Sequence, residues 1–169
     1  MKGAFYLMKF RFPIRRYSRD TVDVMNPKPN GGCSSSGYEA SLDDRGNEPL
    51  IINLKNASGQ NESFLRALWT GEKLQMTVMN LPVGEEIGVE MHDGDQFIRV
   101  EDGYAEVFTG MGKDRLTNRA TVDRDYGVII PKGVYHNIKN AGRTPLRLVS
   151  IYAPKEHPYG ANIKTKKSL

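Results

Sequence analysis

The sequence predicts an all-β fold, an antiparallel sandwich or barrel. Three observations carry this. From Leu74 onward apolar and polar residues alternate with a period of two, tight polar turns separate the alternating runs, and no helical pattern extends beyond one or two turns. A chain of 169 residues has the length of one domain.

Residues 1–48 read as an irregular N-terminal arm. Tyr6, Met8, Phe10 and Phe12 share the even positions, so the segment either adds as a strand to its own body or a partner subunit, or stays disordered. Residues 24–47 are rich in Pro, Gly, Ser and Asn, a composition that buries too little apolar area to offset ordering entropy. The folded body spans residues 49–154. Residues 50–54 read as a short strand, and residues 61–68 as helical turns with Phe64, Leu65 and Leu68 on one face. Leu74, Met76 and Val78 then alternate with Gln75 and Thr77, and strand-like runs recur at 88–92, 96–100, 105–109, 127–130, 136–140 and 146–152. Pro82-Val83-Gly84, Asp93-Gly94-Asp95, Glu101-Asp102-Gly103, Pro131-Lys132-Gly133 and Asn140-Ala141-Gly142 supply the turns. Residues 155–169 read as a basic C-terminal tail.

Composition narrows the class. With 38% hydrophobic and 26% charged residues the chain can bury a core and remain soluble. Apolar runs of a few residues are far short of the roughly 20 that span a bilayer, and the start lacks a secretory pattern, so no membrane association and a cytoplasmic location are expected. Cys33, the single cysteine, closes no intrachain disulfide and reads as an inert exposed thiol. The net charge of +4 divides into +5 over residues 1–30 and +3 over residues 155–169, which leaves −4 in the middle. Positive charge at the ends of an acidic body does not make a folded nucleic-acid face, so no nucleic-acid partner is expected. The stretch Thr109-Gly110-Met111-Gly112-Lys113 lacks phosphate-loop spacing and reads as a hairpin excursion.

The residues with chemistry cluster around two turns. In residues 88–92, Glu90 and His92 share one strand face and Val89 and Met91 the other. The turn at 93–95 brings Gln96 back toward them, and His136 follows the turn at 131–133. Two imidazoles and a carboxylate suit Fe(II), Mn(II), Zn(II) or Ni(II), with an amide oxygen as a weaker fourth donor. Alternation fixes which residues share a face and not which face is inside, so a solvated polar face over buried Val89 and Met91 stands as the other reading.

The stretch Gly84-x5-Glu90-x-His92-x3-Gln96-x6-Gly103 resembles the first signature motif of the cupin superfamily, and Pro131-x-Gly133-x2-His136-x3-Asn140 resembles the second. Glu90 stands where a His is usual, Gln96 where a Glu is usual, and Asp125 where the second motif opens with Gly. Ala67 to Gly71, residues 95–101, and Ser150 to Pro154 with His157-Pro158 are similar to small single-domain bacterial cupins, and the likeness covers about residues 49–166. It implies a jelly-roll β-barrel, one divalent metal ion held by Glu90, His92, Gln96 and His136, a small-molecule ligand in the barrel, and a homodimer. The donors keep one negative charge although the carboxylate has moved.

Cupins span many reactions, so the resemblance settles none of them. Three functions follow from it: a metal-dependent enzyme acting on a small oxygenated, sugar-like molecule; a non-catalytic ligand-binding barrel; and a structural dimer that the N-terminal arm attaches to an assembly. Arg99 is expected in a salt bridge or dimer contact, His157 in packing, and Phe97 on an outward face suited to a subunit interface.

Overall fold

The computed structural model describes residues 41–166. The expectations for the first 40 residues, strand addition by the aromatic arm and the thiol of Cys33 among them, lie outside the described residues.

Two expectations about the start of the body are corrected. The strand at residues 50–54 does not form. Asn53 instead caps a helix, its side chain accepting the Asn56 N–H at 3.0 Å, and α1 runs Leu54–Gln60. Residues 61–68 are not helical turns, because β1 (Leu65–Thr70) occupies their second half. The helix-like spacing of Phe64, Leu65 and Leu68 has a sheet origin. Pairing of β1 with β2 (Gln75–Leu81) slips between Ala67 and Trp69, so Leu68 is the extra residue of a bulge. Leu65 therefore enters the main core, while Leu68 joins Ala57 and Val78 in a second cluster.

Five of the expected strands form as β3 (Asp95–Asp102), β4 (Tyr104–Gly110), β6 (Gly127–Ile130), β7 (Tyr135–Asn140) and β8 (Leu146–Ala153). Two more were not expected. β5 (Asn118–Asp123) pairs only with β4 and buries only Val122, so as a polar edge strand it carries almost no apolar signal. β9 (Asn162–Ile163) lies in the segment read as a basic tail and pairs with β1. Residues 88–92 are not a continuous strand. Gly88 takes φ +90°, and residues 86–90 around it meet β7 through two isolated bridges, Glu86 to Lys139 and Glu90 to His136.

The strands form a six-stranded sheet in the order β6-β3-β8-β2-β1-β9 and a three-stranded sheet in the order β5-β4-β7, all antiparallel, as expected of a jelly roll. Gly103 carries the chain from one sheet to the other at φ +99°; a Cβ there would meet the Leu146 Cα at 2.9 Å.

Register decides where chemistry can sit. Inward residues line up across β3, β8 and β2 in rows: Val100, Leu148 and Met79; then Ile98, Ser150 and Thr77; then Gln96, Tyr152 and Gln75. The first row belongs to the apolar core, which also holds Leu81, Leu146, Val107 and Ile138. The second and third rows are increasingly polar yet buried. The barrel is thus oily at one end and polar at the other, and the polar end is the mouth.

Asn140, the last residue of the second motif, serves this architecture. Its buried amide donates to the Leu81 and Thr144 carbonyls at 2.9 and 2.8 Å, and its side-chain oxygen accepts the Gly142 N–H at 2.9 Å. Asn140→Ala strands the buried Leu81 carbonyl and removes the bonds to the Thr144 carbonyl and Gly142 N–H, and should lower unfolding free energy by about 1–3 kcal/mol while leaving the mouth intact. Urea denaturation checks this; a loss below about 0.5 kcal/mol would show that those groups find other partners.

Candidate metal centre

Glu90 and His136 meet because their backbones do. The Glu90 N–H donates to the His136 carbonyl at 3.0 Å and the His136 N–H to the Glu90 carbonyl at 2.9 Å, a mutually bonded antiparallel pair whose side chains project to the same face. His92 follows two residues on, and its carbonyl accepts the Gly133 N–H at 3.0 Å, tying it to the turn before β7. Val89 and Met91 are exposed, whereas His92 and His136 are buried. The reading with a solvated polar face over buried Val89 and Met91 is therefore overturned.

One oxygen sits at the centre of the group. Glu90 Oε1 lies 3.2 Å from His136 Nε2 and 3.3 Å from His92 Nε2, and the donor atoms of all three side chains fall within 4.8 Å of one another. Neither imidazole contact has hydrogen-bond geometry, so both Nε2 atoms are buried without a hydrogen-bond partner. The other ring nitrogens explain this. His136 Nδ1 is 3.1 Å from the Val134 carbonyl, which can only accept, so Nδ1 carries the proton and Nε2 presents its lone pair to Glu90. His92 Nδ1 is 3.2 Å from Glu156 Oε1, which favours the same tautomer. Two imidazole lone pairs and a carboxylate oxygen facing one another need a cation among them. The residues therefore fit a divalent ion.

Without a metal, protons meet that need. Burial works to raise the Glu90 carboxyl, but its contacts with His136 and then His92 outweigh it and pull the pKa from 4.5 to about 2. For His92, burial favours the neutral ring, and the neighbouring carboxylates of Glu90 and then Glu156 override it, holding the imidazole above its ordinary 6.5.

Gln96 belongs to the same polar end of the barrel. It lies on the inward face of β3 beside Tyr152, 2% exposed, with Oε1 lacking a hydrogen-bond partner. Tyr152 packs edge-on against His92, ring centroids 5.5 Å apart, and burial pushes its phenol far above the usual range. His157 also packs edge-on against Tyr152, at 5.2 Å. Arg99 points away and pairs with Glu101 and Asp125. Asp125 sits at φ +72°, a conformation that suits the glycine usual at this point of the motif and that Asp tolerates better than most residues. Sequence reasoning missed Tyr152 and Glu156. Tyr152 was legible only as an alternating strand residue, and Glu156 reaches His92 only because the segment after β8 turns back over the mouth.

No helix among the described residues is long and apolar enough to cross a membrane. The chain matches the cupin-domain family model over residues 77–152. It is 45% identical over 126 residues to YrkC of Bacillus subtilis, covering 74% of this chain and 68% of that protein. It is 34% identical over 116 residues to L612 of Acanthamoeba polyphaga mimivirus, covering 68% and 71%. The solved structure of BH2720 from Bacillus halodurans is 44% identical and superposes with a TM-score of 0.74 over 75% of this chain and 97% of that one. With both signature motifs placed at the mouth of an antiparallel jelly roll, the chain belongs to the cupin family.

Proposed function

We propose that the protein is a divalent-metal cupin whose ion, held by Glu90, His92 and His136, binds and acts on a small oxygenated molecule at the barrel mouth. The observation that carries this reading is the pair of buried, unpartnered Nε2 atoms facing one carboxylate oxygen. Gln96 supplies the fourth donor, directly or through a bound water. Fe(II), Mn(II), Zn(II) and Ni(II) all match two imidazoles and a carboxylate. Bound there, the ion would polarise a carbonyl or hydroxyl, or activate water.

The ligand class follows from the polar rows beneath the trio. Gln96 Oε1 is buried without a hydrogen-bond partner, and the Thr77 and Ser150 hydroxyls sit against the Tyr152 phenol, a buried polar lining that favours a molecule rich in hydroxyl or carbonyl oxygens, sugars included. Burial keeps the Tyr152 phenol protonated within that lining. A homodimer belongs to the same reading. On the outer face of the large sheet Phe97 pairs directly with Ile129, which is 74% exposed, and with Ile151.

Protein purified without added metal should carry close to one equivalent of a transition metal by elemental analysis. Glu90→Ala and His136→Ala should each lose most of it and keep the native circular dichroism spectrum. Full metal content in both variants would remove the ligand assignment.

The metal-free protein should show the signature of protons standing in for the ion. A lowered Glu90 pKa contributes stability that is present above 4.5 and lost as the pH falls toward 2. A raised His92 pKa contributes stability present below 6.5 and lost as the pH climbs through the raised value. The pair should therefore help most between about pH 4.5 and 6.5. Urea titrations across pH should find both flanks flattened in Glu90→Gln, and parallel profiles for the two proteins would show that the groups are uncoupled. For the dimer, Phe97→Asp should shift sedimentation from dimer to monomer; a monomeric parent chain would sink that part of the reading.

A further inference from the structure

After β8 the chain turns back across the barrel mouth and is fastened there. The Glu156 and His157 N–H groups donate to Gln75 Oε1 at 3.2 and 2.8 Å, and Gln75 Nε2 donates to the His157 carbonyl at 2.9 Å. Gln75 is wholly buried in β2, so this clamp is part of the barrel wall. Further along, the Tyr159 hydroxyl donates to the Asp44 carbonyl at 2.8 Å, the Gly160 N–H donates to Asp44 Oδ2 at 2.9 Å, and Asn162–Ile163 pairs with β1. The segment is a strap held at both ends.

The strap delivers one carboxylate to the centre. Glu156 Oε1 stands 3.2 Å from His92 Nδ1, on the far side of the imidazole from Glu90. The two histidines differ in how their outer nitrogens are met. His136 Nδ1 has the Val134 carbonyl two residues away on its own strand approach, whereas His92 Nδ1 has no aligned hydrogen-bond partner and the nearby acceptor is Glu156, 64 residues away. A neutral imidazole in water favours protonation at Nε2, which would block the nitrogen that faces Glu90.

We infer that Glu156 is a positioning residue of the metal centre. It takes the Nδ1 proton of His92 as a hydrogen bond, fixes the tautomer and ring orientation that present Nε2 to the ion, and adds a negative charge behind the ligand. This role rests on the metal reading above. It also gives the strap a purpose beyond covering apolar surface, because the Gln75 clamp grips the backbone of Glu156 and leaves its side chain free to reach the imidazole.

The test uses the full-length chain, Zn(II) as the probe, and two readouts. Zn(II) affinity is measured by competition with a chromophoric chelator. The histidine tautomers are read from long-range proton–nitrogen correlation spectra of the metal-free protein at pH about 9, above the ordinary imidazole range. In Glu156→Ala, affinity should fall about 10–100-fold, and His92 should move to the Nε2-protonated pattern while His136 keeps Nδ1 protonated. Glu156→Gln retains an acceptor oxygen without the charge, so it should hold the His92 tautomer and lose less than about tenfold. Wild-type affinity in Glu156→Ala overturns the inference and leaves the metal reading standing. Weakened affinity with an unchanged His92 tautomer also overturns it, since the residue would then merely anchor the strap. Failure of the unaltered chain to bind Zn(II) removes the metal reading first and the role of Glu156 with it, an outcome separable from the others because it needs no variant.

Discussion

One antiparallel pair holds the chemistry of this barrel together. The reciprocal backbone hydrogen bonds between Glu90 and His136 join two segments 46 residues apart and oblige a carboxylate and an imidazole to leave the backbone on the same side. His92, two residues beyond Glu90, then has its ring centroid 5.4 Å from that of His136. A one-residue slip of the 88–92 segment would present Val89 and Met91 to the mouth and turn Glu90 and His92 outward, away from His136. Register at this bridge is thus the condition for a site, and the bridge is short. Gly88 at φ +90° ends regular pairing on one side, and on the other the chain turns away at residues 93–94 to start β3.

The rest of the barrel makes that arrangement tolerable. Burying unpartnered polar atoms costs free energy, and here they concentrate in two rows and a trio at one end. The opposing gain comes from the apolar half, where Leu81, Ile98, Val100, Leu146 and Leu148 are almost wholly excluded from water, and from a second layer in which α1 covers the outer face around Leu68, Val78 and Val149. Separating the two functions along the barrel axis lets the lower rows pack without compromise. The upper rows then carry the polar groups, with Gln96 Oε1 left without a partner.

How much of this was legible from sequence follows from the physics of each part. Strands β3, β4, β6, β7 and β8 were readable because alternation with glycine-bearing turns is a local signal. Glu90, His92 and His136 were readable as a group through motif spacing, while the direction they face was not, since alternation is silent about which side is inside. The bulge at Leu68 defeated the reading of β1: with both sheet faces covered, a bulged strand mimics helical spacing. β5 was invisible for the opposite reason, being an edge with a single buried side chain. The strap has the composition of a tail because its hold depends on Gln75 and Asp44, residues whose reach across 82 and 116 positions leaves no trace in local composition.

The departures from the usual cupin motif make sense on the same terms. A carboxylate at position 96 would stand on the inward face beside Tyr152 with 2% exposure, where an ionised group needs a close cation at all times. At position 90 the carboxylate keeps 35% of its side chain in contact with solvent and lies within 3.3 Å of both imidazoles, so protons on those rings can compensate it when no ion is bound. Placing the carboxylate at position 90 and a neutral amide at position 96 keeps one negative charge among these side chains and puts it where it is less buried. Asp125 follows a parallel logic on the outer wall. It accepts the left-handed backbone that suits a glycine, and gives in return a carboxylate 2.6 Å from Arg99, bracing the turn between β5 and β6 against β3. Each departure leaves the backbone of the motif in place, and the carboxylates at 90 and 125 stand where solvent or a partner can meet them.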